Sequence, residues 1–488
     1  VRLHGVKDYL DMLLMLEKFP AIHQTFNLVP SLIEQVEDYT NHRVKDKFLE
    51  LSYKAASNLT PDEKEFILNS FFMINKEKVI SFSPRYYELY SKREMKKTFT
   101  HADYIDLQVW FNLSWIDPYF RNTVPALKKI TEKARFFTEE EKHIVLDTQI
   151  SLLSDIIPAY KKFMKSNQVE VILSPYYHPI LPLLYNTNIA KEANKKTILP
   201  GRQFAFPQDA KRQIDEAIAF FKTRFSSTVS GMWPSEQAVS EHILPFIAQA
   251  KVNWIVADEA ILYKSLKKKK RDTRLLYQPH VLKTAEGDLN IVFRDRNLSD
   301  LIGFSYHSWE TKSAVDDFLK HLKNTADAFV NQDILVTIAM DGENAWEYYP
   351  NDGHDFLELL YKRLSEADFL KTVTISEYLK MHPARHEIKR LSAGSWIYGE
   401  FGKWIGNYHK AKAWEYLAEA RHKLQELIDQ GEQISDLAWK QMCICEGSDW
   451  FWWYGEGGAD FDELFRMHLA NFYKLIGREI PNYLTKPI

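Results

Sequence analysis

Cysteine is nearly absent from this chain of 488 residues; only Cys443 and Cys445 occur, one residue apart. That excludes a disulfide framework, and a cysteine metal site would need more ligands than the pair supplies. A reducing, cytoplasmic compartment is the expectation. A run of about 18 apolar residues is also missing, so no membrane span is expected. Neither sign of charge dominates: 63 Lys and Arg stand against 66 Asp and Glu, a formal net charge of −3. No global field therefore draws in nucleic acid or an anionic membrane, and neither is expected as a partner. The basic run Lys267–Arg271 is local and reads as a solvated loop. The chain opens at Val1 without methionine and runs straight into amphipathic sequence, so a preceding segment is expected.

Apolar and aromatic residues are plentiful, with 45% of the chain hydrophobic and 13 Trp, 25 Tyr and 30 Phe among them. The length suits a barrel-sized domain of roughly 250–350 residues plus a second region. Aromatic faces stack on sugar rings but also fill cores, so composition permits a carbohydrate ligand without selecting one.

One pattern repeats: a short apolar run, a polar or acidic residue, then a helical stretch. The runs are Thr25–Val29, Val169–Leu173, Thr228–Met232, Asn253–Ala257, Asn290–Phe293 and Ile334–Ala339. Near-continuous apolar runs of this length predict strands buried on both faces, hence a parallel sheet. Pro207-Gln208-Asp209 opens a helix whose Ile214, Ala217, Ile218, Phe221 and Phe225 share one face. Strand, helix, strand is the βαβ unit, and polar residues just past the strand ends mark the catalytic face of a (β/α) barrel. About six strands are legible, fewer than the usual eight. Residues 40–165 read as a helical insertion. From 385 onward helical periodicity dominates through Ala411–Ile428 and Phe461–Ile476, without convincing strands. The expected division is a barrel over 1–384 and a helical domain over 385–488 that contributes to the cleft.

Cleavage of a glycosidic bond needs two carboxyl groups, one attacking the anomeric carbon and one protonating the leaving oxygen. Glu236 and Asp341 sit at different strand ends, as that chemistry requires, but so do Asp258, Glu259, Asp295 and Glu343. Spacing alone does not choose among them, because each could equally cap a helix or form a salt bridge at the rim.

Four longer segments narrow the choice. Ser174-Pro-Tyr-Tyr-His-Pro-Ile-Leu-Pro182, Gly231-Met-Trp-Pro-Ser-Glu236, Asp341-Gly-Glu-Asn-Ala-Trp-Glu347 and Gly394-Ser-Trp-Ile-Tyr-Gly-Glu-Phe-Gly-Lys-Trp404 resemble four of the five signature regions of glycoside hydrolase family 57, in the family's order. The resemblance implies an α/β fold, an incomplete (β/α)7 barrel with a helical C-terminal domain, and action on α-glucan. It places the nucleophile on Glu236 and the general acid/base on Asp341, with Asp341 holding its proton while Glu236 stays ionised. His178, Trp233, Arg294, Trp346, Trp404 and Asp449 fall where substrate contacts are expected; for Trp404 the alternative is a residue that fixes the helical domain to the barrel. No metal and no cofactor are expected. The family's first region, a strand ending in His-Gln-Pro, has no counterpart after Val1, so the first barrel strand is expected to be missing.

Three activities fit these residues. The first is a retaining hydrolase cleaving α-glucosidic bonds in starch, glycogen or maltooligosaccharides. The second is an α-glucan transferase, a 4-α-glucanotransferase or branching enzyme, sharing the covalent step. The third is a non-catalytic glucan-binding relic. A metal-dependent deacetylase or mannosidase would need converging ligands, and His178, His307 and His354 lack the spacing.

Overall fold

The computed structural model describes residues 1–488. Its strands are β1 (Gln24–Asn27), β2 (Val169–Ile172), β3 (Gly231–Met232), β4 (Trp254–Asp258), β5 (His280–Thr284), β6 (Gly287–Arg294) and β7 (His386–Glu387). β1 pairs with β2 in parallel, and a second sheet has the order β3-β4-β6-β5-β7. A parallel bridge between Leu173 and Met232 joins the two. β1, β2, β3, β4 and β6 therefore lie side by side and end on the same side of the molecule.

The strands form where the side chains suit burial on both faces. Every residue of β4 is buried. Ile255 and Ala257 pack into the main core, while Trp254 and Val256 face the other way, onto Ile172, Val292, Leu335 and Tyr378. Helices cover the outer face, as parallel sheets require. Between β2 and β3 runs the helix Pro207–Phe225, burying Ile214, Ala217, Phe221 and Phe225 as its periodicity predicts, with Ile218 at the margin. Helices from Lys47–Tyr53 to Glu139–Lys165 fill the insertion between β1 and β2. No helix is long and apolar enough to cross a membrane.

Three expectations are corrected. Ile334–Ala339 is not a laddered strand and makes a single bridge, Thr337 to Arg294. Its groups go to irregular partners instead: the Leu335 amide donates to the Tyr277 carbonyl (2.9 Å) and the Thr337 carbonyl accepts from Asp295 (2.8 Å). β5 and β7 were not foreseen, because β5 is half-polar and the edge strand β7 is two exposed polar residues, so neither carries an apolar run. β7 and an antiparallel bridge from Val239 to Gly394 also attach residues just after 385 to the sheets. Finally, Lys267–Lys270 are exposed as expected, but Arg271 turns back to Glu259 (3.1 Å) and Asp295 (2.7 Å).

Beyond that attachment the chain is helical: Tyr408–Asp429, Asp436–Cys445, Ser448–Trp453 and Ala459–Leu475. Trp414 stacks on Phe451 at 4.3 Å, and Arg421 makes a buried two-pronged pair with Asp209 (2.5 and 3.0 Å) on the Pro207–Phe225 helix. One cluster of 107 buried residues runs through insertion, sheets and C-terminal helices alike, so these regions share a core. Cys443 and Cys445 are buried free thiols, Cys445 within that core.

Candidate active site

The polar residues that follow β2, β3, β6 and the Thr337 segment meet at the ends of the parallel strands. Glu236 comes from the turn after β3. Its backbone is left-handed (φ 58°), a conformation that bulky side chains adopt only where the surroundings hold them. The holder is the strap at Gly394–Gly399. Gly394 (φ 154°) would place a Cβ only 2.3 Å from the Gly399 carbonyl, so no side chain fits there. The strap delivers Trp396, whose amide donates to the Glu236 carbonyl (3.1 Å) and whose indole Nε1 donates to Glu236 Oε2 (2.7 Å).

Asp341 follows the Thr337 segment and accepts from Asn344 Nδ2 at 3.0 Å. Its side chain reaches solvent at the mouth of the cleft, but the protein around it desolvates it enough to raise it above the ordinary carboxylate range, against the pull of Asn344, His178 and Arg294. Burial also pushes Glu236 up, to about 8, and the Asp341 charge adds to the push while the Trp396 hydrogen bond opposes it. The sequence implies a protonated Asp341 beside an ionised Glu236, with only the acid raised. Both carboxyls are raised instead, Asp341 by desolvation and Glu236 by desolvation and the Asp341 charge. Glu343, next but one to Asp341, is pushed to about 7 by burial and then by Asp341.

His178, also left-handed (φ 56°), forms the opposite wall, with Nδ1 3.0 Å from Ser448 Oγ. Burial lowers its pKa, while the charges of Asp449 and Asp341 work the other way. Asp449 is exposed in the first turn of Ser448–Trp453. Arg294 ends β6 with its guanidinium 5.2 Å from the Trp396 ring centre; it pairs with Asp300, and its Nε lies 4.0 Å from Asp258. Trp233 packs edge-on against Trp396 at 5.4 Å. Glu236, Asp341, His178, Arg294, Trp233 and Asp449 are thus brought to one place. Of the other strand-end carboxylates, Asp258 pairs with Arg296, and Asp295 and Glu259 with Arg271.

The three histidines weighed as metal ligands go to different places. His307 lies against Tyr348, and His354 between Asp11 and Asp117. Asp11, Asp117 and His354 are the group whose atoms come close enough together to hold a metal.

The model of glycosyl hydrolase family 57 matches residues 1–390, the whole of the sheet region and the motifs around Glu236 and Asp341. The chain belongs to glycosyl hydrolase family 57. α-Amylase 1 of Dictyoglomus thermophilum is 23% identical over 273 residues, 55% of this chain and 33% of that protein, so the chain spans about a third of its curated relative. A GH57 branching enzyme from Thermococcus kodakaraensis is similar in structure, with a TM-score of 0.62 at 14% identity over 99% of this chain and 88% of that one. The α-amylase AmyC of Thermotoga maritima gives 0.59 at 14% identity over 98% and 88%. These likenesses show a common α/β fold.

Two aromatic positions in this family 57 chain do not reach the cleft. Trp404 is fully buried, its carbonyl accepting from the Trp414 indole (3.1 Å), and it packs the C-terminal helices to the sheet region. Trp346 is 5% exposed and donates to Met12 Sδ at 3.2 Å. Neither offers a ring face to a ligand in this structure. Trp396 does, and it was passed over although it stands in the same motif as Trp404. Its contact with a residue 160 positions away is invisible to local spacing.

Proposed function

We propose that this chain is a retaining α-glucan hydrolase in which Glu236 attacks the anomeric carbon and Asp341 serves as acid, then base. The carrying observation is the juxtaposition of Glu236, held by Trp396, with Asp341, whose charge reaches it, at the ends of parallel strands. In the first step Asp341 gives its proton to the leaving oxygen as Glu236 forms the glycosyl bond. In the second it takes a proton from water, which releases the sugar with its configuration kept. Trp396 and Trp233 supply aromatic surface for a glucose ring, Arg294 a positive charge beside it, and His178 and Asp449 polar contacts. The frame is read as an incomplete (β/α)7 barrel over 1–384 with a helical domain over 385–488. Supporting the barrel, side chains of β2, β4, β6, Leu335 and Tyr378 converge on one inner cluster.

The likeness to a branching enzyme over nearly the whole chain supports a second reading, α-glucan transfer by the same covalent step. Incubation with maltooligosaccharides distinguishes them. Hydrolysis gives shorter sugars whose first-formed reducing ends are α by NMR; transfer gives longer or branched products. Glucan binding without any product would refute both.

A further inference from the structure

The segment from Asp341 to Gly353 carries Asp341 and Glu343 but belongs to no strand or long helix, so something else must fix it. Its near end rests on Met12: a Cβ on Gly342 would lie 3.0 Å from Met12 Cε, and the Trp346 indole donates to Met12 Sδ (3.2 Å). Its far end is tied by charge. Lys7 pairs with Asp352 at 3.3 Å, and His354 Nε2 lies 3.1 Å from Asp11 Oδ1 and 2.8 Å from Asp117 Oδ1. Asp11 adjoins Met12, and Asp117 caps the helix Pro118–Thr123 in the insertion, accepting from the Tyr119 amide (2.6 Å). Three distant stretches of chain thus meet at one imidazole nitrogen, with both carboxylates buried.

We propose that His354 is a positioning residue for Asp341, clamping the far end of this segment to Asp11 and Asp117 so that its near end stays seated on Met12. The proposal rests on Asp341 being the acid/base. Burial works against charge on the ring, but the hydrogen bonds to Asp11 and Asp117 outweigh it and push His354 up to about 10. Its folded-state value therefore lies above the unfolded one. Burial also pushes its partner Asp117 up, to about 7, so the charged pair is complete only above that value and is lost again as pH rises through about 10. Lys7, Asp352 and Arg121 are the next charges around it: Lys7 faces Asp352, and Arg121 faces Asp352 and Asp117.

His354→Gln, studied in the full chain, keeps a donor for one carboxylate and loses the charge. A slackened acid matters most when the leaving group needs a proton. Turnover of maltooligosaccharide is expected to fall roughly tenfold with KM within about twofold, while a nitrophenyl α-glucoside changes less than about twofold. Amides of 341–353 should exchange hydrogen faster, and the wild-type advantage in Tm should shrink toward pH 10. If His354→Gln does not fold, Asp11→Asn, which removes one partner, should give the same substrate-dependent loss. Equal losses on both substrates, unchanged turnover on both, or a stoichiometric divalent metal at the cluster by elemental analysis would overturn the clamp. Asp341→Asn is measured alongside. If it keeps wild-type turnover, the acid/base reading itself fails; if it is impaired while His354→Gln is not, only the clamp fails.

Discussion

Two opposing influences act on the Glu236 carboxyl, and substitution separates them. The Asp341 charge raises it and the Trp396 indole lowers it. A nucleophile must be ionised, so activity falls as pH drops through the Glu236 value. Asp341→Asn removes the like charge, and the acid limb of its residual activity on a nitrophenyl α-glucoside should move to lower pH. Trp396→Phe removes the donor, and its acid limb should move to higher pH. A hydrogen bond to a charged group is worth about 1.5–3 kcal/mol, so turnover near neutral pH should also fall about tenfold or more. Shifts in the same direction would mean that these two groups do not act on Glu236 as the geometry indicates. At this scale the sequence was legible for where Glu236, Asp341, His178 and Arg294 sit, past the strand ends, and the roles given to them are proposals. It was not legible for Trp396, Trp346 and Trp404. An aromatic side chain reads the same whether it lines a cleft or a core, and only the fold distinguishes them.

Elements were legible in proportion to how far their own residues dictate them. β4 and β6 could be foreseen because strands buried on both faces read as unbroken apolar runs. The helix Pro207–Phe225 could be foreseen because its stripe has a helical period. The Ile334–Ala339 run has strand composition but lacks a neighbour in register, so composition misled. β5, which turns into β6 at Gly287 (φ 130°), is half-polar and lies next to the edge strand β7, leaving no pattern to detect. The helix carrying Arg421 is joined to the sheet region through Asp209, both side chains 1% exposed. Removing one partner of such a pair strands a buried charge and costs about 3–5 kcal/mol. Arg421→Met should accordingly lower unfolding stability by about that amount in urea, and adding Asp209→Leu should recover much of it. A loss below about 1 kcal/mol would indicate that solvent reaches the pair.

In the whole molecule, insertion, sheets and C-terminal helices share one core, which explains how His178 after β2 and Asp449 from the last third of the chain come to face the same carboxylates. Family membership extends over residues 1–390, whereas Trp396 and Asp449 lie beyond that match. The cleft therefore depends on a part of the chain that the family model does not cover. The assignment of nucleophile and acid/base is tested most directly by azide rescue of Glu236→Ala and Asp341→Ala on a nitrophenyl α-glucoside, with the product's configuration read by NMR. Azide needs no general base, so it should restore turnover to Asp341→Ala by attacking the covalent intermediate, giving the α-glucosyl azide. In Glu236→Ala it should occupy the nucleophile's place and give the β-glucosyl azide. The opposite pairing of variant and configuration would reverse the two roles, and near wild-type rates in both variants without azide would place the chemistry on other residues.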